Sequence, residues 1–274
     1  MKILVTGANG YLGRGIVKQL LDDGIEVIAT SYSIDGIDKR AHRIAVDLFS
    51  VENPFTFFNE PEIVLHLAWR DGFVHYSERH IDDLPKHYLF LKKMADNGVK
   101  KIVGMGSMHE IGFYEGSVDG NTKCNPISLY GIAKNALRNC LDVLANNNDQ
   151  LVWQWLRGFY IVANTDYGSS IFSKIVSSSE KGDNIFPFTK GQNQFDFLDY
   201  DMFCQQVAAS VEQSRINGII NICSGRPEKL ADRVERFIKE NNLDIKLEYG
   251  AYQDRPYGLK SIFETDFKRH SEPR

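Results

Sequence analysis

Between the apolar run Lys2 to Thr6 and a helical pattern from Tyr11 to Leu21 lies the segment Gly7-Ala8-Asn9-Gly10-Tyr11-Leu12-Gly13. This strand, glycine turn and helix constrain the chain more than any other feature. Leu12, Ile16, Leu20 and Leu21 recur at helical spacing, so the helix buries one face on the sheet that contains the strand. Gly7 permits the tight turn, Gly10 lets backbone approach a pyrophosphate, and Gly13 lets the helix sit close on the sheet. The unbonded amides of the helix N-terminus then face the phosphates. Gly7, Gly10 and Gly13, with Asn9, Tyr11 and Leu12 between them, are the first cofactor-binding candidates. Their spacing is G-x-x-G-x-x-G rather than G-x-G-x-x-G, and the competing reading is a glycine-rich turn that binds nothing.

Brief apolar runs follow at 25–29, 43–46, 63–67, 101–105, 151–156 and 219–223, each bounded by polar or turn residues. Helical patterns are read at Leu84 to Ala95, from Ser128 to the Asn146-Asn147-Asn148 run, from Asp199 to Gln213 and from Glu228 to Glu240. Alternating strands and helices with short connections predict an α/β fold, a doubly wound parallel sheet of Rossmann type. The stretches 164–170 and 177–194 are rich in Gly, Ser, Asn and Asp and read as loops and short elements. The expected organisation is a dinucleotide-binding domain of 1–160 plus about 197–223, interleaved with a smaller substrate lobe of about 161–196 plus 224–274. Phe267 to Arg274 reads as a frayed tail.

Composition bounds the partners. The chain holds 32 Lys and Arg against 36 Asp and Glu, a formal charge of -4, and has no basic run to meet nucleic acid or a membrane surface. Ile3 to Val5 is cut short by Thr6-Gly7, too soon for a signal peptide or a membrane span, and a cytoplasmic protein is expected. Cys124, Cys140, Cys204 and Cys223 are far apart, which argues against a disulfide framework or a zinc site. No metal is expected.

At the end of the second strand, Thr30-Ser31-Tyr32-Ser33 offers no acid for a ribose 2′-hydroxyl, and Lys39-Arg40 follow as possible partners of a 2′-phosphate. The cofactor is thus NADP or NAD, with a lean towards NADP, and Ser31 contacts it. Asp47-Leu48, after the third strand, is a candidate for the adenine, and also an ordinary turn. Tyr130 and Lys134 stand one helical turn apart, on one face. Lys134 beside a cationic nicotinamide is expected to lower the phenol pKa towards neutrality, and Ser107, at the end of the fifth strand, to hold a carbonyl or alcohol beside it. These three are the catalytic candidates; the competing reading of Tyr130 and Lys134 is an exposed pair on a helix.

Thr6 to Gly13, His66-Leu67-Ala68, Ser107 and Tyr130-x-x-x-Lys134 together resemble the extended short-chain dehydrogenase/reductases, the NAD-dependent epimerase/dehydratase family, over nearly the whole chain. The resemblance implies that Tyr130 is the acid/base, that Lys134 also holds the nicotinamide ribose, that Ser107 positions the reacting oxygen, and that Leu67 and Ala68 line the cofactor cleft. Arg157, the stretch Phe195 to Asp201, Asn221 to Gly225 and Arg255-Pro256 look like later landmarks of its nucleotide-sugar branch, and Arg255 resembles the arginine that pairs a sugar diphosphate. The chain also departs from the pattern. Met108 and His109 stand where dehydratases carry Asp-Glu, although a slip of one residue would put His109-Glu110 there. Tyr160 replaces a sugar-contacting asparagine, and Phe195 an arginine. His109, Tyr160 and Arg255 are the substrate-binding candidates. Because the second lobe is short for an enzyme that must hold a sugar in two poses, the resemblance implies NAD(P)H-dependent reduction of a nucleotide-diphospho-4-keto-6-deoxysugar to a donor for surface polysaccharide. A nucleotide-sugar 4-epimerase, an enzyme of other small carbonyl compounds, and a non-catalytic dinucleotide sensor are the alternatives. A homodimer is expected from the apolar helical faces at Leu84 to Ala95 and Leu129 to Leu144, which equally suit packing on the sheet.

Overall fold

A computed structural model of the chain describes residues 1–114, 116–165 and 170–253, and the backbone of 263–265. Its main sheet is built from β1 (Lys2–Thr6), β2 (Glu26–Ser31), β3 (His42–Ala45), β4 (Ile63–His66), β5 (Lys101–Ser107), β6 (Val152–Gly158) and β7 (Gly218–Ile222). All pair in parallel, in the order β7-β6-β5-β4-β1-β2-β3. The helices are α1 (Tyr11–Asp22), α2 (Leu84–Asp96), α3 (Leu129–Asn146), α4 (Ile171–Glu180), α5 (Tyr200–Glu212) and α6 (Leu230–Glu240), with one-turn helices between them. The strand order reverses between β1 and β4, which opens a crevice at their carboxyl ends.

Strand side chains alternate, so one strand feeds two cores. Ile3 and Val5 pack with Ile16, Val17 and Leu20 of α1 and Phe203, Val207 and Val211 of α5. Leu4 turns the other way, towards Phe90, Leu91 and Met94 of α2 and Leu137 and Leu141 of α3. Most of the apolar residues expected to form a dimer bundle therefore sit in the core, while Leu89, Ile132 and Val143 remain exposed. Gly106 of β5 makes room for Trp155 of β6; a Cβ there would lie 2.1 Å from the indole nitrogen. At the start of β5, Lys101 Nζ donates to the carbonyls of Ser210, Val211 and Gln213 at 3.2, 2.7 and 2.6 Å, binding the negative end of α5.

A further core gathers Phe172, Ile175 and Val176 of α4, Val234 and Phe237 of α6, and Phe188 and Phe197. Its small sheet places 194–199 between 160–162, in parallel, and 227–229, antiparallel. The segment 246–248 pairs with 185–187, and 263–265 with 116–118. Parts of 177–194 are more regular than the loops expected. Ser170 caps α4 by accepting from the Ser173 amide at 3.1 Å, and the buried Phe172, Ile175 and Val176 hold the helix through its serine-rich end. In the same way 227–229 is a strand, so the last helix starts at Leu230. Among the described residues no helix is long and apolar enough to cross a membrane.

Candidate active site

The turn after β1 has a shape that side chains would block. Gly7 has φ of +67°, and a Cβ on it would lie 2.7 Å from the Ala68 backbone. A Cβ on Gly13 would lie 2.4 Å from the Gly7 carbonyl oxygen. Gly10 begins α1 with no side-chain cap and no acid in the first turn, so the helix offers its free amides to an anion. Asn9 braces the turn: its Oδ1 accepts from Arg14 Nε at 3.1 Å and from the Gly36 amide at 3.0 Å. Tyr200, at the start of α5, donates its hydroxyl to the Tyr11 carbonyl at 2.5 Å and accepts from the Gly15 amide at 3.1 Å.

A cavity of about 730 Å³ runs from this turn across the strand ends. Gly7, Gly10, Tyr11, Leu12, Gly13, Ser31, Leu48, Leu67 and Ala68 line one end of it, and Ser107, His109, Tyr130, Lys134 and Tyr160 line the rest. These residues meet because they lie at or just beyond the carboxyl ends of strands or in the first two turns of the helices that follow. Asp47 borders an adjoining hollow of about 380 Å³ and accepts from the Phe49 amide at 3.1 Å and the Tyr32 hydroxyl at 3.4 Å. Arg40 pairs with Asp22 at 2.8 Å and Asp38 at 2.7 Å, and Lys39 is exposed.

Ser128 starts α3 by accepting from the Gly131 amide at 3.1 Å, which sets Tyr130 and Lys134 a turn apart facing β5. The Tyr130 phenol and the Ser107 side chain lie side by side in this cavity. Lys134 Nζ donates to the Met105 carbonyl at 2.8 Å and lies 3.9 Å from the centroid of the Trp69 ring, against 5.9 Å from that of Tyr130. Lys134 does not by itself acidify the phenol. Burial pushes Tyr130 up to about 12, the Ser107 side chain partly offsets that, and the Glu110 charge adds to it. Burial also draws Lys134 down to about 7, against the pull of Glu110. The lysine, more than the tyrosine, is the group brought near neutrality.

Behind Lys134 runs a buried line in which Thr6 Oγ1 meets His66 Nδ1 at 2.9 Å and His66 Nε2 meets His87 Nδ1 at 2.8 Å. Burial holds His66 well below its ordinary range and His87 at about 3, with the Lys134 charge pushing both the same way. Two neutral imidazoles make that bond only with one as donor, so their tautomers are coupled. Trp69 stacks on His87 with centroids 4.5 Å apart and donates its indole N–H to His80 Nδ1 at 3.0 Å.

Glu110 has no exposure and turns away from the cavity: Oε1 accepts from the Ser107 amide at 2.7 Å and from Trp155 Nε1 at 2.8 Å, and Oε2 lies 3.6 Å from Nε of Arg157, which is itself fully buried. Met108 and His109 line the cavity instead. The alignment without a slip therefore describes the site, and the landmark Arg157 is a partner of Glu110. Asp196, also fully buried, accepts from the amides of Ser224 and Gly225 at 2.7 and 2.8 Å and anchors that loop. Arg255 lies outside the described residues. Sequence reading missed Trp69, next to the quoted His66-Leu67-Ala68, and His75. The latter stacks on Tyr130 with centroids 5.5 Å apart, and its carbonyl accepts from the Tyr130 amide at 3.0 Å. The irregular loop that carries it offers no periodicity by which to find it.

Residues 3–223 match the model of the NAD dependent epimerase/dehydratase family. A dTDP-6-deoxy-L-talose 4-dehydrogenase (NAD(+)) of Aggregatibacter actinomycetemcomitans is 38% identical over 270 residues, 96% of this chain and 99% of its own length. Among solved structures, the UDP-glucose 4-epimerase of Thermotoga maritima with UDP-glucose is similar at a TM-score of 0.80 and 21% identity, over 96% of this chain and 89% of that one. The UDP-glucose 4-epimerase of Thermus thermophilus in complex with NAD is similar at a TM-score of 0.75 and 20% identity, over 96% and 90%. At those identities the solved structures speak for the fold.

Proposed function

Because the chain belongs to the NAD-dependent epimerase/dehydratase family, we propose that it interconverts ketone and alcohol at C4 of a nucleotide-diphospho-6-deoxyhexose, working as a reductase that makes a deoxysugar donor for surface polysaccharide. The observation that carries the reading is the convergence of Ser107, Tyr130 and the buried Lys134 in one cavity continuous with the glycine turn. A full-length relative named for a 4-dehydrogenase supports the reacting carbon and the 6-deoxy class.

The glycine turn and the free amides of α1 suit a dinucleotide pyrophosphate, and Leu67, Ala68, Ser31 and Leu48 its adenosine half. Bound there, the nicotinamide supplies or accepts the hydride. Ser107 holds the C4 oxygen, Tyr130 passes the proton to or from it, and Lys134, one helical turn away, holds the nicotinamide ribose. In our reading NAD is the first candidate cofactor, because Arg40, one of the two bases on which a preference for NADP rested, is already paired with Asp22 and Asp38. We assign the core around Phe172, Val234 and Phe237 to the substrate lobe, and a homodimer to the exposed Leu89, Ile132 and Val143.

The test is to follow nicotinamide absorbance with purified protein, NADH or NADPH, and a panel of nucleotide-linked 4-keto-6-deoxyhexoses. Oxidation of the cofactor with one of them is expected. No net turnover, together with NAD recovered tightly bound from denatured protein, would refute the reductase in favour of an epimerase.

A further inference from the structure

On the two sides of Ser107 the cavity is lined by different chemistry. Strand β5 lies between β4 and β6, and Ser107 pairs in register with Gly158. The segment after β4 therefore runs on one side of Ser107 and the segment after β6 on the other. The first brings His75, whose ring lies 4.2 Å from that of His109; both rings stand against Tyr130, at 5.5 and 5.8 Å. The second brings Tyr160, whose ring lies 4.4 Å from that of Phe195, with Phe197 packed behind both at 5.8 and 5.9 Å. One wall offers imidazoles beside Phe73; the other offers the ring faces of Tyr160 and Phe195, with Asn193 and Thr189 also lining the cavity.

A hexose reacting at C4 has on one side C3, which bears a hydroxyl, and on the other C5, which bears C6. We infer that the imidazole wall takes the C3 hydroxyl and that the Tyr160–Phe195 pair takes C6, so that the enzyme selects a methyl group there and rejects a hydroxymethyl. The inference rests on the C4 reading above. A hydroxyl laid on ring faces gives up water, and an apolar pocket discriminates against an added hydroxyl by about ten- to a hundredfold.

The experiment compares dTDP-6-deoxy-L-talose with dTDP-L-talose, which differ only at C6, as substrates for oxidation with NAD and as ligands in calorimetry. The wild-type protein is expected to prefer the 6-deoxy sugar by about tenfold or more in kcat/KM. Phe195→Asn is expected to lower that ratio to about threefold or less, chiefly by improving the 6-hydroxy sugar, whereas Phe195→Leu keeps it. Equal melting temperatures for the two variants separate recognition from folding. A wild-type ratio near one, or a ratio unchanged in Phe195→Asn, overturns the inference. If neither sugar is turned over but the 6-deoxy sugar still binds preferentially, the C4 reading fails and the wall stands; equal binding without turnover refutes both.

Discussion

Glu110→Ala tests the claim that this carboxylate holds the site together and takes no part in its chemistry. Both members of its ion pair with Arg157 have no exposure, so water cannot take over when one is removed. Breaking such a pair costs about 3–5 kcal/mol, because the remaining charge stays buried without a counter-charge. The Ser107 amide and the Trp155 indole N–H lose their shared acceptor in the same step. At about 2–4 °C per kcal/mol for a chain of this size, the melting temperature is expected to fall by roughly 6–20 °C. Removing both charges, in Glu110→Leu with Arg157→Met, is expected to recover more than half of the loss. The assay is thermal unfolding of the three proteins with cofactor turnover measured beside it. A shift under about 2 °C in Glu110→Ala, with activity lost all the same, would refute the structural role and return Glu110 to the chemistry.

Tyr130→Phe is expected to lower turnover about a hundred- to ten-thousandfold while NADH fluorescence still reports binding; unchanged turnover would remove the phenol from the mechanism. The pH dependence of stability should carry the mark of Lys134. Its folded pKa of about 7 lies below the ordinary 10.5, so between those values the unfolded chain binds more protons, and the lysine's contribution to stability rises with pH. Lys134→Met should accordingly raise the melting temperature relative to wild type more near pH 6 than near pH 9, and a pH-independent difference would contradict the burial argument. Gly7→Ala, which puts a Cβ 2.7 Å from the Ala68 backbone at φ of +67°, should abolish dinucleotide binding and cost about 1 kcal/mol or more of stability, checked by NADH titration and denaturant unfolding.

The main sheet was legible because its signals are local. Ile3 to Val5 and the spacing of Leu12, Ile16 and Leu20 announce strand and helix without reference to distant residues. The cofactor turn and the Tyr130/Lys134 pair were legible for the same reason, since each is a short spacing whose geometry follows from one turn or one helix. What stayed hidden depends on contacts between remote segments. The serines at 177–179 mask α4, whose support is the burial of Phe172 and Ile175 against Phe237. The rise in the Tyr130 pKa comes from desolvation, which no spacing reports, and Lys134 aims at Met105 and Trp69 instead of acidifying the phenol. His75 reaches Tyr130 only because its loop bonds back onto the first turn of α3.

Tyr200 joins parts that are far apart in the chain. It follows directly on the strand that carries Phe195, and its hydroxyl grips α1 at both the Tyr11 carbonyl and the Gly15 amide. The phenol is therefore a direct physical link between the N-terminal turn of α1 and the strand under the aromatic wall. Reciprocity follows: any factor by which a bound dinucleotide tightens the grip on the sugar must equal the factor by which the sugar tightens the grip on the dinucleotide. A single phenol thus sets the glycine turn and the aromatic wall on one mechanical connection.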